Sequence, residues 1–90
     1  MNSNMTIYKY EIKLTDAQRI SMPLNAQIMS VQFQYNKLCL WAMVDPDATK
    51  HDRTIEIFGT GNPMDSWERI FIGTVQQAGG ALVWHVFERL

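Results

Sequence analysis

Apolar and polar positions alternate along most of the chain with a period of two, the pattern of strands that bury one face. In residues 6–14, Tyr8, Tyr10, Ile12 and Leu14 share one parity, while Lys9, Glu11 and Lys13 share the other behind Ile7. This predicts a half-buried strand with a wet face. Thr15-Asp16 reads as a turn, and residues 18–22 as a second strand with Ile20 and Met22 inward. Pro23-Leu24-Asn25 breaks the run. Residues 26–35 make a third strand, with Met29, Val31, Phe33 and Tyr35 set against Ser30, Gln32 and Gln34. Asn36-Lys37 then reads as a two-residue hairpin turn, because Asn tolerates positive φ. Residues 38–44 follow and are apolar on both parities: Leu38, Leu40, Ala42 and Val44 on one, Cys39, Trp41 and Met43 on the other.

Asp45-Pro46-Asp47 ends that strand as a turn, and Lys50, His51, Asp52 and Arg53 read as an exposed loop of mixed charge. Residues 54–58, rich in β-branched side chains, form a fifth strand. Gly59-Thr60-Gly61-Asn62-Pro63 is a second sharp break. With Asn62 as cap and Pro63 as first helical residue, it predicts one short helical turn within 63–69. Residues 70–75 and 81–87 are the last two strands, joined through a turn at 76–80 that contains Gly79-Gly80. The final strand is again apolar on both parities, with Leu82, Trp84 and Val86 opposite Val83 and Phe87. Seven short strands at about ten-residue spacing predict an all-β domain, an antiparallel sandwich or a small barrel. The domain is expected over 6–90, after a frayed or disordered 1–5 with Met5 as an alternative start.

Composition narrows the classes. The 90 residues are 47% hydrophobic and 19% charged, with a net charge of -1. That is too apolar for a disordered tail and too short for a Rossmann or TIM-barrel domain. The charge balance disfavours nucleic acid as a partner. No apolar run is long enough for a membrane-spanning helix, and the N-terminus lacks the basic and apolar regions of a signal peptide. The single cysteine, Cys39, closes no intrachain disulfide and sits among core-type residues. A reducing cytoplasm fits that usage.

Tests for chemistry leave few candidates. His51 and His85 lie in unrelated settings, and no HExxH or CxxC spacing occurs, so neither metal nor cofactor is expected. No serine has an elbow-like Gly-x-Ser-x-Gly context, and the chain is not expected to be an enzyme. The Gly59-Thr60-Gly61-Asn62 loop is the first candidate for a phosphate-bearing ligand, since glycines bring backbone N–H groups close to an anion. Arg53, Trp84 and His85 complete that candidate set. The two doubly apolar strands need a second cover, and a second subunit supplies one. Trp41, Met43, Val83 and Phe87 are the candidate interface residues of a homo-oligomer.

Several segments also carry a resemblance. They are Ile7-Tyr8-Lys9-Tyr10-Glu11, Ile28-Met29-Ser30-Val31-Gln32 and Leu40-Trp41-Ala42-Met43-Val44-Asp45-Pro46, then Gly59-Thr60-Gly61-Asn62-Pro63, Ile72-Gly73-Thr74-Val75-Gln76 and Gly80–Glu88. In that order and spacing the chain resembles a family of short bacteriophage and prophage proteins of unknown function, from about Ile7 to Glu88. The stretch Met64-Asp65-Ser66-Trp67-Glu68 falls where such proteins vary. The resemblance implies a viral origin and expression in the bacterial host cytoplasm, and no reaction. The functional expectation is a small non-enzymatic phage protein that binds a host component. Its sharpest form is a counter-defence factor acting by protein contact, through Asp47, Lys50, His51 and Arg53, or by sequestering a nucleotide-like signal. The alternative is a minor virion or assembly protein.

Overall fold

The computed structural model describes residues 4–90; the expected fraying of residues 1–5 falls largely outside them. The strands are β1 (Thr6–Glu11), β2 (Ala17–Pro23), β3 (Gln27–Gln34), β4 (Lys37–Val44), β5 (Lys50–Gly59), β6 (Arg69–Gln77) and β7 (Leu82–Arg89). They form two antiparallel sheets, of order β1-β4-β3 and β2-β5-β7-β6. Of the two expected architectures, the sandwich is the one adopted.

Strand parity decides what lies between the sheets. Leu38, Leu40, Ala42 and Val44 of β4 point inward and are buried, as are Met22, Val31, Ile55, Ile57, Val75 and Val86. Tyr8 pairs with Ala42 and Tyr10 with Leu40 on this inner side, so Lys9 and Glu11 face out beside Trp41 and Cys39. The sheets come closest along β3 and β6. There Gly73 faces Val31, and a methyl group on Gly73 would lie only 2.9 Å from a Val31 methyl. One charged pair borders the core: Arg53 and Glu88 share the inner parity with Ile55, and the guanidinium binds the carboxylate through both Nε and Nη2. Arg53 Nη1 also donates to the Ala26 carbonyl at 2.8 Å, tying β5 and β7 to the β2–β3 turn.

Four local expectations need correction. The β3–β4 turn is Tyr35-Asn36 rather than Asn36-Lys37, since both residues have positive φ and Gln34 pairs with Lys37. Lys50–Arg53 is strand, not loop, because β2 pairs alongside it from Pro23↔Lys50 to Ile20↔Arg53. The first strand stops at Glu11, although the Ile12 amide still donates to the Leu38 carbonyl at 2.9 Å. The short helical turn in 63–69 is absent. Tertiary contacts hold that segment open: the Trp67 Nε1 donates to the Leu90 carbonyl, and the Leu90 amide to the Glu68 carbonyl. The one helical turn among the described residues is a 3-10 turn at Ala78–Gly80, in the β6–β7 connection. The turn at Asp45-Pro46-Asp47 forms as expected, with the Asp47 amide donating to Asp45 Oδ1 at 3.0 Å. Among the described residues no helix is long and apolar enough to cross a membrane.

Candidate functional site

The glycine loop after β5 is a self-satisfied turn. The Asn62 amide donates to the Gly59 carbonyl, and Gly61 takes φ +88, which a side chain would resist. The Thr60 amide is directed at the Val83 carbonyl, at 3.4 Å. Two of the amides that an anion would need are thus already engaged. Gly59 lies against the Trp84 ring, whose Nε1 donates to Gln77 Oε1 at 2.9 Å. Trp84 and His85 are neighbours on β7 and therefore face opposite sides of the sheet. His85 sits outward between two hydroxyls, with Nε2 2.8 Å from Thr60 Oγ1 and Nδ1 3.0 Å from Thr74 Oγ1. Arg53 does not reach this loop. It lies six residues before Gly59, about 20 Å along β5, and is engaged by Glu88. The structure therefore joins Gly59, Thr60, Asn62, Trp84 and His85 at one end of the sandwich and leaves Arg53 at the other.

The four expected interface residues divide between two faces. Trp41 and Met43 lie on the outer side of the β1-β4-β3 sheet, next to Lys9 and Ile7. Val83 and Phe87 lie on the outer side of the β2-β5-β7-β6 sheet, opposite Gln76 and Phe71. Lys50, His51 and Asp52 are exposed at the start of β5, while Asp47 is exposed in the preceding turn.

That second outer face carries a cluster no single segment announces. Phe58, Phe71 and Phe87 meet edge to face, with ring centroids 5.9 and 5.4 Å from the central Phe87. In the next row of the sheet stand Arg19, Thr54, Arg89 and Arg69, by direct cross-strand pairing. Glu56, itself buried, neutralises two of these arginines: Oε1 accepts from Arg69 Nε at 2.6 Å and Oε2 from Arg89 Nη1 at 3.2 Å. The Arg69 guanidinium lies 5.1 Å from the Phe58 ring centre, and that of Arg89 4.3 Å from the Trp67 ring centre. Arg69 further donates to Asp65 Oδ1 and to the Asp65 and Trp67 carbonyls, which pins the 61–68 arm against the sheet.

Charge follows this geometry. Asp65 is held below its usual carboxylate pKa by the Trp67 amide and then by Arg69. Hydrogen bonding to Glu56 raises the Arg69 pKa, and hydrogen bonding to Glu88 raises that of Arg53. A cleft of about 350 Å³ opens beside the network, lined by Asp16, Glu56, Asn62, Asp65 and Arg69 among others. No group of three or more His, Cys, Asp or Glu among the described residues is placed to hold a metal ion. The exposed apolar members of the face are Phe71 at 57% and Trp67 at 55% of full exposure. The sequence singles out Phe87, and Arg69 as a positive charge beside the glycine loop, but not Phe58, Phe71, Trp67 or Glu56. Outward parity in β5, β6 and β7 was the available signal.

No curated protein and no solved structure matches the chain. A family model described as Domain of unknown function (DUF7352) matches residues 3–90, and the chain belongs to that family.

Proposed function

We propose that this member of the family is a phage-derived, non-enzymatic binding protein of the bacterial host cytoplasm. It counters a host defence by contact with a protein, and the contact surface is the outer face of the β2-β5-β7-β6 sheet. The observation that carries this reading is the Phe58–Phe87–Phe71 cluster with Trp67, flanked by arginines already held in place. Tryptophan, aromatic rings and arginine dominate the energetics of protein interfaces, and pre-ordered side chains lose less entropy on binding. Protein contact is favoured over capture of a nucleotide-like signal because two amides of the Gly59–Asn62 turn are already engaged, Asn62 with Gly59 and Thr60 with Val83.

The test is a plating assay. The chain is expressed in bacterial strains that each carry one defence system, and phage plaques are counted. Wild type should raise the count in at least one strain, and Phe71→Glu should remove the effect while the protein stays folded by circular dichroism. If wild type changes plating in none of the strains, or Phe71→Glu acts as well as wild type, the reading fails.

A further inference from the structure

Among the described residues the two sheets have four edge strands, and three are protected against pairing with another chain. β3 carries a bulge between Ile28 and Ser30 and runs beside β6. β6 carries its own bulge between Phe71 and Gly73. β2 presents the exposed Arg19 and ends in Pro23, which has no N–H to donate. β1 has none of these devices except one lysine. It is regular, unbulged and in continuous register with β4 from Thr6 to Glu11.

The hydrogen-bond phase of β1 shows which groups face outward. The Ile12 amide donates to Leu38, so the even residues of β1 bond to β4. The N–H and C=O groups of Ile7, Lys9 and Glu11 therefore point to the free edge. Both faces of the strand are also uncovered, with Ile7 at 56% exposure on one and Tyr8 at 41% on the other.

We propose that β1 pairs antiparallel with β1 of a second copy of this chain, joining two three-stranded sheets into one of six. Charge selects the register. With Tyr10 opposite its own counterpart, Lys9 of each copy faces Glu11 of the other, and these are hydrogen-bonded pairs of the new ladder. Centring the pair on Lys9 would instead oppose two lysines. The existing contacts of these groups yield easily: Lys9 Nζ meets Gln34 at 3.0 Å on an exposed surface, and the Lys37–Glu11 pair at 3.5 Å is exposed. The pairing also brings the Ile7, Trp41 and Met43 stripes of the two copies into one sheet face. The inference is independent of the host-contact reading, which uses the opposite sheet.

Sedimentation equilibrium of the full chain should show a dimer. Lys9→Glu places like charges opposite each other twice, and it should weaken the dimer by at least about tenfold. Adding Glu11→Lys to that variant should restore it. Circular dichroism checks that each variant is folded. Amide hydrogen exchange gives a second readout: the Lys9 and Glu11 amides should slow as concentration rises, while Tyr8 and Tyr10 stay protected throughout. Ile7 should not change, because it faces Lys13, whose N–H and C=O are held by Gln18. A chain that is monomeric up to millimolar concentration overturns the proposal. So does a dimer indifferent to Lys9→Glu whose Lys9 and Glu11 amides exchange fast at every concentration.

Discussion

The carboxylates of this protein differ sharply in what they do. Glu88 and Arg53 form a two-point pair at the border of the core, with only 11% and 15% of their side chains exposed. Removing one partner strands the other where water solvates it poorly, so Glu88→Gln should cost about 2 kcal/mol, less than a wholly dry pair. A lower urea midpoint with an unchanged slope would show this, and an unmoved midpoint would refute it. Asp65 works at the surface instead. Its pKa in the folded chain is depressed below the ordinary carboxylate value by the Trp67 amide and then by Arg69, so its contribution is present above that ordinary value and fades as pH falls through the folded pKa. Asp65→Asn should therefore lower stability at neutral pH and flatten the acid limb of the stability–pH curve. Equal curve shapes for the two proteins below about pH 4 would contradict the assignment.

Among the elements, the β3–β4 hairpin shows how local chemistry and the fold compete. Tyr35 is held at φ +50 in the turn, with 90% of its surface exposed. The side chain packs on little, while its β-carbon disfavours that backbone. Tyr35→Asn should stabilise the chain by about 0.5 kcal/mol and raise Tm by a few degrees, as calorimetry can check. The same competition explains what the sequence disclosed. Apolar patterning marked all seven strands, by alternation in β1 and β3 and by doubly apolar runs in β4 and β7, because most inner residues are apolar where two sheets meet. Lys50–Arg53 escaped notice because its strand is defined by backbone pairing with β2 and not by apolar side chains. Asn62-Pro63 carried a real helix-start signal, yet Trp67, Arg69 and Leu90 bind the segment in another shape, and propensity yields to tertiary contact. For the site, Thr60, Trp84 and His85 converge because β5 and β7 pair antiparallel across the intervening β6, with Gly59 opposite Trp84. Arg53 does not, since nearness in sequence along a strand means distance in space. The outer aromatic face was scattered over β5, β6 and β7, and its rows exist only once the register is known.

Taken whole, the molecule is a flat sandwich, 44 × 32 × 16 Å, whose two broad outer faces are differently equipped. One carries Ile7, Trp41 and Met43 beside the open β1 edge; the other carries the phenylalanine cluster and its arginines. A further property follows from how the N-terminal strands are placed. The β3–β4 and β6–β7 hairpins join residues close along the chain. β1 and β2, by contrast, must find partners across the intervening hairpin: Thr6 meets Val44, and Ala17 meets Glu56. Long loops close late, because their entropy is lost before their contacts form. The N-terminal strands should thus be the last to dock in refolding and the first to leave. In stopped-flow experiments a destabilising change such as Tyr10→Ala should mainly speed unfolding, whereas Leu40→Ala should also slow refolding. A Tyr10→Ala protein that refolds slowly but unfolds at the normal rate would place β1 in the folding nucleus instead.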